Sequence, residues 1–253
     1  FYTGEGGGKS FNGKGSVIVC EEVERQRNPN LSLKEIENIL KETYNFKHII
    51  WIKKGLANDM QTFSSLLPGE VYSTGAGGHV DECCRFVNAR TILLVQVTEE
   101  QAAKSPIAKI SYENMEENYK FLKEQTDQDG QPLEIIRFPF PDDIIYEIDK
   151  RDPKFIQIQN TQTKIKSPII IKERAKYILP ASYCNYLISN NVILLPKYYK
   201  PGRSSSFEKT DQEAFDIMQK FFPNHKIIQI NPEPVNAGGG GMNCVSNEQP
   251  SCD

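Results

Sequence analysis

Residues 8–52 read GKSFNGKGSVIVCEEVERQRNPNLSLKEIENILKETYNFKHIIWI. Two short runs, 8–12 and 16–20, have the apolar or alternating composition of strands. Ser32-Leu33-Lys34-Glu35 is a capping box, and Ile36, Ile39 and Leu40 follow on one helical face, so a helix is expected over 32–44. His48-Ile49-Ile50-Trp51-Ile52 is a β-branched run that reads as a third strand, with His48 and Trp51 as packing residues. The segment is a β-β-α-β unit.

The same order recurs twice. Strands are expected at 79–87 and 90–97, a helix near 112–125 with Met115, Tyr119 and Leu122 on one side, and a strand at Glu134–Phe138. The third unit has strands at 182–188 and 191–196 joined at Asn190-Asn191. A helix over 210–222 follows, opened by the box Thr210-Asp211-Gln212-Glu213 and stopped at Pro223, and then a strand over Lys226–Ile230. One further strand is expected near 243–247. Units that each expose a sheet face stack or close around an axis. The competing reading is an ordinary α+β domain whose ordering is coincidental. The expected organisation is one α/β domain over 1–253, with modules at about 5–55, 79–140 and 181–230 and a closing strand at about 243–247. Residues 61–78, rich in Ser and Gly, read as a long segment covering a site rather than a domain boundary.

A chain of 253 residues can bury a core without disulfide or metal staples. Its net charge of −3 gives no basic footprint for nucleic acid. No apolar run approaches the roughly 18 residues of a membrane span, and no signal peptide follows Phe1. The six cysteines, at 20, 83, 84, 184, 244 and 252, are irregularly spaced, which suits free thiols in a reducing, cytoplasmic setting with most of them in the core. No C-x-x-C pair occurs and the three histidines are scattered, so no metal site is expected.

Three Gly-flanked segments could carry chemistry. In Gly238-Gly239-Gly240-Gly241-Met242-Asn243-Cys244 the glycines let a backbone turn sharply or a ligand approach beside a thiol; the alternative is a flexible tract ending in a buried Cys. In Gly77-Gly78-His79-Val80-Asp81, a strand would put His79 and Asp81 on one face; the alternative is a solvent-side pair. A Cys thiol activated by a nearby His can perform covalent catalysis on an electrophilic carbon. Gly4-Glu5-Gly6-Gly7-Gly8 adds a Glu that could orient or charge a His, or merely mark a turn. Each lies in a different unit or its closing strand, which suggests a shared axial cleft. Cys83 would share the His79 strand face, with core packing the favoured role.

Five segments together resemble the agmatine deiminase family, which includes the Porphyromonas-type peptidylarginine deiminases. They are Glu5-Gly6-Gly7, Arg27-Asn28-Pro29-Asn30-Leu31-Ser32, Gly78-His79-Val80-Asp81, Ala181-Ser182-Tyr183 with Asn185, and Gly239-Gly240-Gly241 leading to Cys244; Gln249-Pro250 also fits the family's ending. The resemblance runs over essentially the whole chain. It implies the pentein fold, an α/β propeller of β-β-α-β modules, of which this chain would supply about three and a closing strand. It implies Cys244 as nucleophile on a guanidinium carbon through a covalent thiouronium intermediate, His79 as general acid and then base, and Glu5 holding His79. Asp81 and the backbone at Gly239, Gly240 and Gly241 would bind substrate. The implied reaction is agmatine plus water to N-carbamoylputrescine plus ammonia, a step toward putrescine. The alternatives are a peptidylarginine or free-arginine deiminase of the same fold, or an inactive module that only binds. No cofactor is implied, the implied partner is a small guanidine, and a homo-oligomer is compatible with the resemblance.

This sequence departs from the family pattern in several places, among them Ala76-Gly77, which replaces more polar family residues. Asn243 stands where the family has His before the nucleophile, and the stretch before His79 is longer than usual. The family also has a second guanidinium-binding Asp upstream of its Glu-Gly-Gly, whereas Phe1 lies four residues before Glu5. The expectation is that a chain without that Asp binds guanidines poorly and turns over slowly or not at all.

Overall fold

The computed structural model describes residues 1–62, 66–167, 169 and 173–247, so Gln249-Pro250 and Cys252 lie outside the described residues. In chain order the first unit contains β1 (Lys9–Phe11), β2 (Ser16–Cys20), α1 (Glu21–Arg27), α2 (Leu33–Tyr44) and β3 (His48–Ile52). Next come β4 (Val71–Ser73), α3 (Val80–Cys83), β5 (Cys84–Phe86), β6 (Thr91–Gln96), α4 (Glu99–Lys104), α5 (Pro106–Leu122) and β7 (Glu134–Pro139). They are followed by β8 (Ile145–Asp149), α6 (Pro153–Lys164) and β9 (Arg174–Ile178). The described chain finishes with β10 (Leu187–Ser189), β11 (Val192–Pro196), α7 (Ser205–Phe221), β12 (Lys226–Ile230) and α8 (Glu233–Asn236).

The strands form small three-stranded sheets rather than one continuous sheet. β1-β2-β3, β5-β6-β7 and β10-β11-β12 each pair an antiparallel hairpin with a parallel third strand. The parallel partner needs a crossover, which α2, α4–α5 and α7 supply. A fourth sheet, β4-β9-β8, was not foreseen. β4 comes from the stretch that reads as a covering loop, and its Val71, Tyr72 and Ser73 pair with Lys176, Tyr177 and Ile178. The sequence hides this sheet because β4 is only three residues long and pairs with a strand about a hundred residues further on.

Strand β2 illustrates how the layers are held. All five residues are buried. Val17 and Val19 pack with Ile36 and Leu40 of α2, whereas Ile18 and Cys20 face the cluster that spans the sheets. Period-two alternation thus serves two apolar layers, as expected for a strand covered on both faces. Each fully buried Val or Ile contributes about 1.5–3 kcal/mol relative to exposure.

Some boundaries differ from the sequence reading for physical reasons. The Ser32–Glu35 capping box is present, and α2 ends at Asn45 in the left-handed region. α5 starts earlier than expected, at Pro106, because Ser105 accepts from the Ile107 and Ala108 N–H groups. α7 starts at Ser205 under an N-cap at Ser204. Thr210 lies inside that helix, its hydroxyl turned back to the Ser206 and Phe207 carbonyls at 3.1 and 3.2 Å. The stretch read as a strand from 182 pairs only from Leu187; Tyr183, Cys184 and Tyr186 are core without ladder bonds. Residues 242–245 form a turn, not a closing strand. The Asn243 N–H there is taken by the Asn185 side chain, and Ser246 N–H and hydroxyl return to the Asn243 carbonyl.

Asp211 of α7 ties the third unit together, accepting from the Tyr183 hydroxyl at 2.6 Å and the Tyr198 and Tyr199 N–H groups at 2.9 and 2.8 Å. Asp211→Ala leaves those donors without partners and is expected to lower unfolding free energy by about 3 kcal/mol. Urea denaturation checks this; a loss below about 1 kcal/mol would contradict it.

Candidate functional site

Glu5 and its glycines precede β1, and the turn there is closed by Gly8 and Lys9 N–H groups bonding back to the Glu5 and Gly6 carbonyls. The Gly7 carbonyl accepts the Asp81 N–H at 3.0 Å, which joins this segment to α3. His79 is the N-cap of α3, and Asp81 and Glu82 are within that single turn. The 79–87 stretch is therefore not one strand. Ladder pairing starts only at Cys84, because the residues before it curl to keep the Asp81 and Glu82 carboxyl groups together. Cys83 is fully buried among the core residues.

The three Gly-flanked segments do meet. His79 Nε2 lies 2.6 Å from Glu5 Oε2, and Arg27 Nε holds Glu5 Oε1 from the other side at 3.1 Å. Asp81 bridges to the thiol: its Oδ1 is 4.0 Å from His79 Nδ1 and its Oδ2 is 3.5 Å from Cys244 Sγ. Asn243 Nδ2 donates to Asp81 Oδ2 at 2.8 Å, so the residue that departs from the family pattern clamps one carboxylate oxygen. Asp81 Oδ1 is buried and has no hydrogen-bond partner. A buried carboxylate with a free oxygen is costly unless a donor arrives.

The glycine run has a packing reason. A Cβ on Gly239, whose φ is +106°, would stand 2.2 Å from the Thr74 carbonyl oxygen. On Gly241 it would stand 2.3 Å from the Asn185 side chain, and on Gly240 3.2 Å from Cys244 Sγ. The protein's own atoms fill the space that side chains would need. Asn236 Nδ2 fixes the run by donating to the Gly240 carbonyl at 2.9 Å.

Three further polar residues complete the site, and sequence reading gave none of them a role. Asp59 is fully buried and accepts from the N–H groups of Ala76, Gly78 and His79 at 2.7, 2.9 and 2.7 Å, which shapes the approach to His79. Glu82 Oε1 lies 3.9 Å from Cys244 Sγ. Asn185 Nδ2 reaches both Cys244 Sγ at 3.2 Å and Glu82 Oε1 at 2.8 Å. Asn185 was visible as part of a motif, and Glu82 stands beside Asp81. Asp59 had no local signal, because its partners are about seventeen to twenty residues away.

The electrostatics follow from burial. Loss of hydration pushes Glu82 well above the usual carboxylate range, and Asp59 and Asp81 add to the shift. Burial also pushes Asp59 up, to about 6, against the pull of His79 and the backbone donors. Glu5 is lowered: partial burial opposes its ionisation, but Arg27 and His79 together outweigh that cost. Cys244 belongs to an exposed stretch, yet its sulfur sits among these groups. Desolvation first, then Asp81 and Glu82, hold the thiol well above the ordinary range, while the Gly241 N–H and Asn185 oppose them.

Among the described residues Asp81, Glu82 and Cys244 also form a group of potential metal ligands, their atoms within 4.8 Å of one another. A separate recess of about 350 Å³ lies against the fourth sheet, lined by Tyr72, Glu147, Arg174 and Lys176, with no cysteine or histidine in its lining. No helix among the described residues is long and apolar enough to cross a membrane.

Small β-β-α-β sheets that bring a thiol, a His and carboxylates together are the architecture of a pentein-type fold. Residues 2–250 match the family model described as Porphyromonas-type peptidyl-arginine deiminase, and the chain belongs to that family. A Marinomonas sp. (strain MWYL1) protein provisionally named an agmatine deiminase is 30% identical over 248 residues, covering 97% of this chain and 56% of that protein. The agmatine deiminase of Medicago truncatula is 28% identical over 250 residues, covering 98% and 57%. The solved structure of Enterococcus faecalis agmatine deiminase superposes with a TM-score of 0.67 at 25% identity, covering 96% of this chain and 56% of that one. The chain thus spans somewhat more than half the length of these relatives.

Asp81→Asn removes the charge nearest the sulfur and is expected to speed iodoacetamide labelling of Cys244 at pH 8 several-fold, since each unit of lowered thiol pKa raises the thiolate fraction by about tenfold. Labelling that stays constant or slows would contradict this reading of the electrostatics.

Proposed function

We propose that this protein hydrolyses a guanidinium group, with agmatine as the first substrate to test and N-carbamoylputrescine and ammonia as products. The observation that supports it most is the 3.5 Å approach of Cys244 Sγ to Asp81, whose other oxygen is buried without a donor. That combination suits a planar cation with paired N–H groups, which satisfies the carboxylate and presents its central carbon to sulfur. Arrival of the cation offsets the charges that keep the thiol protonated, so ionisation is favoured when substrate is in place.

The chemistry balances in two halves. The Cys244 thiol gives its proton to solvent, the thiolate forms an S–C bond to the guanidinium carbon, His79 gives a proton to one nitrogen, and the C–N bond breaks to release ammonia. The remaining thiouronium is attacked by water, which gives a proton to His79. The S–C bond then breaks, and the ureido product leaves with the thiol restored. Glu5, paired with Arg27, is the group that keeps His79 oriented for the first half.

A panel of agmatine, free arginine and an arginine peptide, scored for ureido product with the protein as expressed from its own gene, tests this reading. Product from agmatine is expected to exceed that from the other two, and Cys244→Ser is expected to reduce it by at least about four orders of magnitude, as loss of a covalent nucleophile does. Preference for arginine or its peptide would move the substrate assignment to those guanidines. Absence of ureido product from all three would overturn the proposal.

A further inference from the structure

The Asn185 side chain is 1% exposed and touches three parts of the nucleophile's surroundings at once. Its Nδ2 donates to Cys244 Sγ at 3.2 Å and to Glu82 Oε1 at 2.8 Å, and its Oδ1 accepts the Asn243 N–H at 2.7 Å. A primary amide has two N–H groups, and both are engaged. The partners also fix which way round the amide sits. Reversal would set its oxygen against a carboxyl oxygen and sulfur, and its N–H groups against a backbone N–H. Gly241 is the counterpart of this arrangement, since a Cβ there would lie 2.3 Å from the Asn185 amide.

The segment that presents Asn185 is itself anchored. Ser182 N–H donates to the Tyr198 hydroxyl at 2.8 Å, and the Ser182 hydroxyl donates to the Glu82 carbonyl at 2.5 Å. Asn185 thus links the third unit, the α3 carboxylates and the turn that bears the thiol.

We propose that Asn185 is the positioning residue of the Cys244 nucleophile. Through Oδ1 it fixes the backbone of the turn next to the thiol, and through Nδ2 it supplies the N–H that stabilises sulfur when it carries charge. The groups facing the sulfur are Asp81 and Glu82 of α3, Asn185 of the third unit and the Gly241 N–H of its own turn, with His79 and Glu5 behind Asp81. Of these, Asn185 is the side chain that favours the anion, and the two nearest carboxyl groups disfavour it. The proposal rests on reading Cys244 as the nucleophile. It is tested without substrate, so its failure is separate from a failure of guanidine turnover.

The test is the pH dependence of iodoacetamide alkylation, in which the sulfur forms an S–C bond, iodide leaves and the thiol proton goes to solvent. Label is localised by fragmentation mass spectrometry to distinguish Cys244 from Cys252. Cys20, Cys83, Cys84 and Cys184 are buried and serve as internal reporters of folding. Asn185→Asp keeps an acceptor for the Asn243 N–H and replaces the donor with an acid; Asn185→Ala removes both. With the buried thiols protected, the Asp variant is expected to shift the labelling midpoint of Cys244 up by about one pH unit. It is then about tenfold slower at pH 8, since one pKa unit is a tenfold change in thiolate. The Ala variant is expected to be slower by a smaller factor. Wild-type labelling in the Asp variant would overturn the proposal. Exposure of the buried thiols in both variants would make Asn185 a residue of the fold alone and would overturn it too.

Discussion

The site depends on Asp81, a buried carboxylate held between a histidine and a thiol with one oxygen left without a hydrogen-bond partner. Such a group is expensive to bury, and its environment explains much of the surrounding sequence. The α3 turn keeps it beside Glu82, the Gly7 carbonyl fixes its N–H, and Asn243 clamps its second oxygen. Its Oδ1 remains buried without a hydrogen-bond partner, while its Oδ2 stands 3.5 Å from the Cys244 sulfur.

The side chains of the site come from different parts of the chain, and the sheets make the meeting possible. Glu5 precedes β1, His79 caps α3 ahead of β5, and Cys244 follows α8 beyond the third β-β-α-β unit. The units are joined by one apolar cluster that runs from Ile18 to Met218. Rigid packing of this kind matters for a site whose working contacts are hydrogen bonds of 2.6–3.5 Å. Asp59 shows the same economy at a distance. It touches no part of the thiol, but its three backbone bonds set the path of the chain into His79.

The strands β2, β3 and β12 were legible to the residue, because period-two or continuous β-branched runs bounded by turn signals leave little ambiguity. Helix starts were less so. Thr210 and Glu213 match a capping box in spacing, but spacing cannot tell a cap from a hydroxyl folded back inside a longer helix. The fourth sheet was invisible because its pairing is long-range. The site residues were legible as Gly-flanked singletons, and the local geometry around them was not: His79-Val80-Asp81 reads as alternating strand but is a helical turn. Glu82 escaped notice for that reason. In a strand it would point away from Asp81, and in the turn the two lie together under the thiol.

The proposed chemistry requires that the buried carboxylate beside Cys244 draw a planar cation to the sulfur. Comparing chloroacetamidine with neutral chloroacetamide, each rate normalised to its reaction with free glutathione, tests this most directly. The two reagents have nearly the same size and leaving group and differ in charge. If the carboxylate does so, the cationic reagent is expected to label Cys244 at least about tenfold faster than the neutral one at pH 7.5, the ratio that roughly 1.4 kcal/mol of carboxylate attraction provides. Equal normalised rates would contradict it.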